Sequence, residues 1–273
     1  MMRLSLLATV VALAASSVAA QVKPPGERPV ALVSHRAIYD LQLADGGGSK
    51  APASASGRIA FDFSAACDGY VQNLRQIVDM EPNEGERRIT ETRSSTFEDA
   101  SGADFRFRTT RTDDESADVD GRARRDARGV SIALSRPKPF RLSTERDVLF
   151  PTQHIERIIE AARRGEKVLL ARVYDGSDDG RRIFNVTTII GKEQRGADGD
   201  QGAQDPIFSN LSRWRVAIAY FPEERRDGLP DYVLSFDLYE NGVSAKLKLD
   251  YGDFVLTGEL TRIEFPPAAK CSR

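Results

Sequence analysis

The side chains with which this chain could do chemistry near neutral pH are few. Two histidines, His35 and His154, and two cysteines, Cys67 and Cys271, occur in 273 residues. His154 stands two residues from Glu156 at the start of a helical pattern, so one reading is a general base at the mouth of a barrel. The other is a histidine that bonds locally and packs. No nucleophile in a recognisable motif accompanies it, which favours the second reading, and His35, after Ser34 at the head of a strand pattern, reads the same way. Gly-x-Ser-x-Gly, His-Glu-x-x-His and Gly-x-x-x-x-Gly-Lys are all absent from the sequence. A hydrolase acting through His154 is therefore the least supported class, and no catalytic residue or cofactor is assigned.

Two acidic, Gly-rich segments, Asp175-Gly176-Ser177-Asp178-Asp179-Gly180 and Asp198-Gly199-Asp200-Gln201-Gly202, offer oxygens of the kind that calcium takes. Neither completes a twelve-residue loop ending in a bidentate Glu, so both read as turns and no metal is assigned.

Residues 1–20 have the layout of a cleavable export signal: Arg3, an apolar run from Leu4 to Ala15, then Ser16-Ser17-Val18-Ala19-Ala20. The run is shorter than the roughly 20 residues that span a bilayer, and no later segment is apolar enough to do so. The expectation is a soluble, exported chain, and the family resemblance given below places it in the periplasm. A formal charge of -2 argues against nucleic acid or an anionic membrane surface as partner. Export gives the two cysteines a meaning, because disulfides persist outside the cytosol. The economical pairing is Cys67 with Cys271; two separate thiols or an intermolecular bridge are the alternatives. A closed loop of about 200 residues would stabilise by roughly 5 kcal/mol on the chain-entropy account.

The elements that must position these groups are mostly strands. Residues 21–29 form a Pro-rich linker, and one domain is expected over 30–273. Alternating apolar patterns predict strands over 36–43, 58–63, 70–80, 88–98, 105–111, 129–134 and 140–148 before residue 150. They continue over 167–174, 182–190, 211–221, 232–239, 243–251 and 254–265 after it. Residues 45–57 and 196–206 read as polar loops. The charged stretch from Thr110 to Gly129 reads as a solvated hairpin that blunts an exposed edge strand. Asn241-Gly242 predicts a tight type I′ hairpin turn.

One segment alone has a helical period. Ile155, Ile158, Ile159 and Ala162 fall on one face of a helix over about 152–164, with Pro151 and Thr152 marking its start and Arg163, Arg164 and Gly165 its end. That face must be buried, and the helix is expected to plug one mouth of a curled sheet.

The runs Ser34-His35-Arg36-Ala37-Ile38-Tyr39-Asp40-Leu41, Thr96-Phe97-Glu98-Asp99, Leu149-Phe150-Pro151-Thr152-Gln153-His154 and Val173-Tyr174-Asp175-Gly176-Ser177, in this order, together with the closing meander and the two widely spaced cysteines, resemble the EipB cell-envelope-integrity family of alphaproteobacteria. The resemblance implies a mainly β fold: a single antiparallel β-spiral, barrel-like, with the helix closing one end and a disulfide at the positions of Cys67 and Cys271. It implies a role in maintaining the envelope under stress and a periplasmic tetratricopeptide-repeat protein as partner, and it carries no catalytic residue. Three functions follow in order of support. The first is a non-enzymatic module acting through protein–protein interaction, the second a carrier of a lipid, lipoprotein or envelope fragment, and the third the hydrolase above.

Overall fold

A computed structural model describes residues 28–44, 51–112, 118–224, 228–269 and 271. The expected signal and most of the linker lie outside the described residues. The chain forms β1 (His35–Leu43), β2 (Ser54–Ala65), β3 (Gly69–Glu81), β4 (Arg88–Asp99), β5 (Asp104–Arg111), β6 (Val119–Asp126), β7 (Gly129–Arg136) and β8 (Phe140–Thr144). Then come α1 (Pro151–Arg163), β9 (Val168–Val173), β10 (Phe184–Arg195), β11 (Ser212–Pro222), β12 (Tyr232–Tyr239), β13 (Ser244–Asp250) and β14 (Val255–Glu264).

All fourteen strands belong to one antiparallel sheet, in the spatial order β8-β7-β6-β5-β4-β3-β2-β1-β14-β13-β12-β11-β10-β9. Each half of the chain is a meander, and the halves join where β14 pairs with β1. The sheet does not close, because β8 and β9 remain its two edges. These edges are consecutive in sequence, so the segment that links them, α1 included, must cross the opening between them. Stitches hold that seam. Leu149 forms a parallel bridge to Val173, and the Arg172 guanidinium donates to Thr144 Oγ1 at 3.0 Å and to Asp147 at 2.8 Å.

Period-2 alternation fills the inner face. Along β5 to β7 the inward side chains Phe105, Phe107, Val119, Ile132 and Leu134 meet Val148, Phe150 and Tyr174 from the two sides of the seam. The buried helix face, with Ile158, Ile159 and Ala162, packs on Val173, Val186, Trp214 and Val216 from β9 to β11. A third cluster, with Tyr39, Leu41, Val243 and Leu256, lies where the two meanders meet.

Five local expectations are corrected. The charged stretch before Gly129 is no edge hairpin: it contains β6, paired on both sides inside the sheet, with Arg122 and Arg124 directed outward and Val119, Gly121, Ala123 and Arg125 inward. Glycine is required at 121 because a Cβ there would lie 2.5 Å from the Phe107 ring. Of the expected loop 45–57, residues Ser54 to Gly57 already belong to β2, and the strand expected to reach Val148 ends at Thr144. The loop 196–206 is no solvated connection. Asp198 and Asp200 in it are buried, and Asp200 Oδ2 accepts the backbone N–H groups of Lys246 at 2.8 Å and Leu260 at 2.9 Å. The turn after β12 has a positive φ at Gly242 and none at Asn241, and Tyr239 N–H and Val243 C=O close it around three residues, so it is a type I turn with a glycine bulge rather than type I′.

Cys67, in the β2–β3 turn, is bonded to Cys271 beyond β14, with Cα atoms 5.5 Å apart across 204 positions. Opening it frees the unfolded chain, so reduction, or replacement of both cysteines by serine, should cost up to about 5 kcal/mol and lower the melting temperature. A melting curve identical with and without reductant would show that the staple contributes nothing.

Candidate functional site

The first turn of α1 fixes the site. The helix needs acceptors for its opening N–H groups, and the expected cap, the Thr152 hydroxyl, is used elsewhere: it accepts from Gln72 Nε2 at 3.0 Å. Phe150 occupies the N-cap position, and the acceptor comes from across the sheet. The Glu98 carboxylate of β4 takes Thr152 N–H at 2.7 Å and Gln153 N–H at 3.0 Å. Gln153 Oε1 in turn accepts the Phe150 N–H at 3.2 Å, and it and the Val148 carbonyl both receive the Arg125 guanidinium, which lies over the Phe150 ring. Tyr70 donates to Glu156 at 2.9 Å. The helix start is thus bound to β3, β4 and β6, while its body rests on β9 and β10.

Burial pushes the Glu98 carboxyl up to about 7, against the pull of its two N–H donors, with the Glu156 charge adding to the rise. Burial alone pushes His154 down to about 4. His154 is packed, with Nε2 3.5 Å from Thr188 Oγ1, and His35 Nδ1 lies 2.8 Å from the Val33 carbonyl oxygen. The hydroxyl nearest His154 is that of Thr188, and both side chains are buried. The two acidic loops act as internal braces: Asp175 Oδ1 accepts Ser177 N–H at 2.9 Å, and Asp198 Oδ1 accepts Asp200 N–H at 2.8 Å. Among the described residues no group of three or more His, Cys, Asp or Glu side chains is placed to hold a metal.

Between the helix start and the meeting point of the two meanders, the sheet encloses a half-open cavity of about 270 Å³. Strand β2 lines it with Ile59, Phe61 and Phe63, β3 with Leu74, and the opposite wall, β12 and β13, with Leu234, Phe236, Leu247 and Leu249. Ile155 of α1 also lines it, so of the four expected plug residues three pack on the sheet and Ile155 borders open space. His35, Tyr39, Gln72, Gln76, Thr152 and Ser244 add polar groups to the lining, of which Tyr39 donates to the Ser244 carbonyl at 2.8 Å and Gln72 is bound to Thr152. His35 has its Nδ1 turned to the Val33 carbonyl, and the remaining walls are mainly apolar. The alternation of β2 and β3 marked the inward side chains; the void came from their placement around the curl.

Comparison with known proteins follows the same outline. Residues 27–267 match the family described as EipB-like. The cell envelope integrity protein EipB of Brucella abortus is 36% identical over 245 residues, which cover 88% of this chain and 87% of the relative. A crystal structure of a beta-barrel-like protein from Brucella abortus, a domain of unknown function, superposes with a TM-score of 0.80 at 35% identity, covering 87% of this chain and all of the other.

The two shifted groups make opposite demands on pH. Raised from 4.5 to about 7 on folding, Glu98 stabilises the fold when protonated, and that contribution fades as pH climbs from 4.5 through 7. Lowered from 6.5 to about 4, His154 favours the fold when neutral, and its contribution fades as pH falls from 6.5 through 4. Denaturant unfolding of Glu98→Gln should therefore show stability relative to the parent that grows with rising pH, by an amount on the order of 3 kcal/mol across that window. His154→Gln should gain on the parent as pH falls. A constant offset across pH for both variants would contradict this assignment.

Proposed function

We propose, from the premise that this chain belongs to the EipB-like family, that it preserves cell-envelope integrity from within the periplasm as a binding protein and not as an enzyme. The envelope role comes with the family. Of the two binding modes open to such a chain, the cavity favours a carrier: the protein holds the acyl chain of an envelope lipid or lipoprotein between α1 and the β2–β3 and β12–β13 walls. The observation that carries this reading is the composition of those walls, Leu, Ile and Phe around about 270 Å³. Apolar cavities of about 150 Å³ already take benzene. At about 0.8 kcal/mol per buried CH₂, eight methylenes would contribute on the order of 6 kcal/mol before the costs of immobilisation. His154 and the Thr188 hydroxyl beside it are both buried, which does not favour a hydrolytic role.

Interaction with a protein, the tetratricopeptide-repeat partner implied by the resemblance included, is the second reading. One observation supports it: Val168, Leu170 and Ile189 stand exposed together on the outer face of β9 and β10.

Native mass spectrometry of protein isolated from the periplasm should show a bound amphiphile, and a fluorescent fatty acid should bind the emptied protein. Leu74→Trp and Leu249→Trp, each filling the cavity, should weaken probe binding at least tenfold while far-ultraviolet circular dichroism stays unchanged. Equal binding by parent and both variants would place the probe elsewhere and end the carrier reading.

A further inference from the structure

His35 stands at one end of the cavity, and its bonding is half complete. Nδ1 lies 2.8 Å from the Val33 carbonyl oxygen, which can only accept, so Nδ1 carries the proton. Burial pushes the ring below the usual histidine range, against the pull of that carbonyl and of Asp62, so it is uncharged at neutral pH. Nε2 is then a bare acceptor. His35 is 2% exposed, and its Nε2 bonds to no described residue. Nor is Nε2 among the buried atoms sealed off without a partner, so it borders open space, and the space its ring lines is the cavity. An acceptor in such a place costs stability until a donor reaches it.

The strand register shows what surrounds it. His35 of β1, Phe63 of β2 and Gln72 of β3 form one row across the inner face, and Ala37, Phe61 and Leu74 form the next. The His35 ring packs against those of Phe61 and Phe63, with centroids 5.7 and 5.6 Å away. In the third row Tyr39 and Gln76 flank Ile59, and both are engaged, Tyr39 with the Ser244 carbonyl and Gln76 with Tyr251. The opposite wall continues toward that end with the paired residues Leu234 and Leu249. A polar end followed by an apolar length is the outline of a single-chain amphiphile.

Among the described residues that line the cavity there is no Lys, Arg, Asp or Glu. A carboxylate or phosphate head would lose its hydration with no cation to meet it, and at His35 it would set lone pair against lone pair. An ammonium would find no carboxylate. A hydroxyl carries no charge and can donate to Nε2.

We infer that the cavity selects amphiphiles with an uncharged, hydroxyl-bearing head, the hydroxyl donating to His35 Nε2 while the chain runs along Phe61 and Leu74 toward Leu234 and Leu249. This rests on the carrier reading above and gives the cargo a head-group class, an alcohol or acylglycerol in place of a free fatty acid or phospholipid.

The probes are octan-1-ol, octanoate and methyl octyl ether, titrated calorimetrically into the intact protein. The alcohol should bind at least tenfold more tightly than the other two, of which one is charged and one has no donor. In nitrogen-15 spectra of the histidine rings, octan-1-ol should move the His35 Nε2 resonance upfield and leave those of His154, which does not line the cavity, in place. His35→Phe, which keeps an aromatic ring against Phe61 and Phe63, should bring alcohol and ether to within twofold of each other. Octanoate or ether binding the parent as tightly as the alcohol, or a His35 resonance that stays put while the alcohol binds, would overturn the inference whether or not the variant folds. A fluorescent fatty acid displaced equally by all three probes would overturn it and leave the carrier reading standing. Failure of the fluorescent fatty acid and all three probes to bind would remove both.

Discussion

Two backbone N–H groups at the head of α1 would be orphaned without the Glu98 carboxylate, and the arrangement of the molecule depends on that bond pair. Because β8 and β9 are the open edges and also neighbours in sequence, the segment between them has to span the seam. A helix packed only on β9 and β10 would leave the β4 side of the opening uncovered. Glu98 draws the helix start across to β4, and Gln72, Tyr70 and Arg125 hold it there through Thr152, Glu156 and Gln153. The acceptor is a buried carboxylate, so its proton affinity is raised even though both of its oxygens are bonded.

Anchoring the helix this way also explains why the interior is not filled. Ile158, Ile159 and Ala162 are drawn onto the β9–β11 wall, and Phe150 joins the aromatic cluster at the seam, so no large side chain of the helix other than Ile155 reaches the space between β2–β3 and β12–β13. The sheet curls far enough to face its own inner surface but not far enough for those faces to interdigitate. A closed, packed core would have needed bulk where Gly242 and Ser244 stand on that wall.

Much of this could be read from residue patterns. The inward alternation of β1 to β5, the amphipathic period of α1 and the tight connections of the last meander are local signals, and they appear where the sequence places them. The parts that could not be read depend on residues distant in the chain. Strand β6 was hidden because its inward side begins with Val119, Gly121 and Ala123, small enough to accommodate Phe107, and its outward side is mostly charge. Glu98 looked like one more polar strand residue; only the fold brings it to residues 54 and 55 positions later. Asp200 looked like a loop carboxylate, yet it bonds Lys246 and Leu260 where β13 and β14 separate. The cavity itself is a property of curvature, which no single strand encodes.

The pairing of β14 with β1 has a consequence for how the molecule is assembled. The strand that unites the two meanders is the last of the fourteen described strands in chain order, so a chain emerging from its amino end can form β1 to β8 as a ribbon but must hold the inner margin of β1 unpaired until residues 255–264 arrive. During that interval β1 presents a bare ladder of the sort that recruits foreign strands. The Cys67–Cys271 bond ties the two parts of the chain whose meeting ends that exposure, so it can close only once β14 has reached β1.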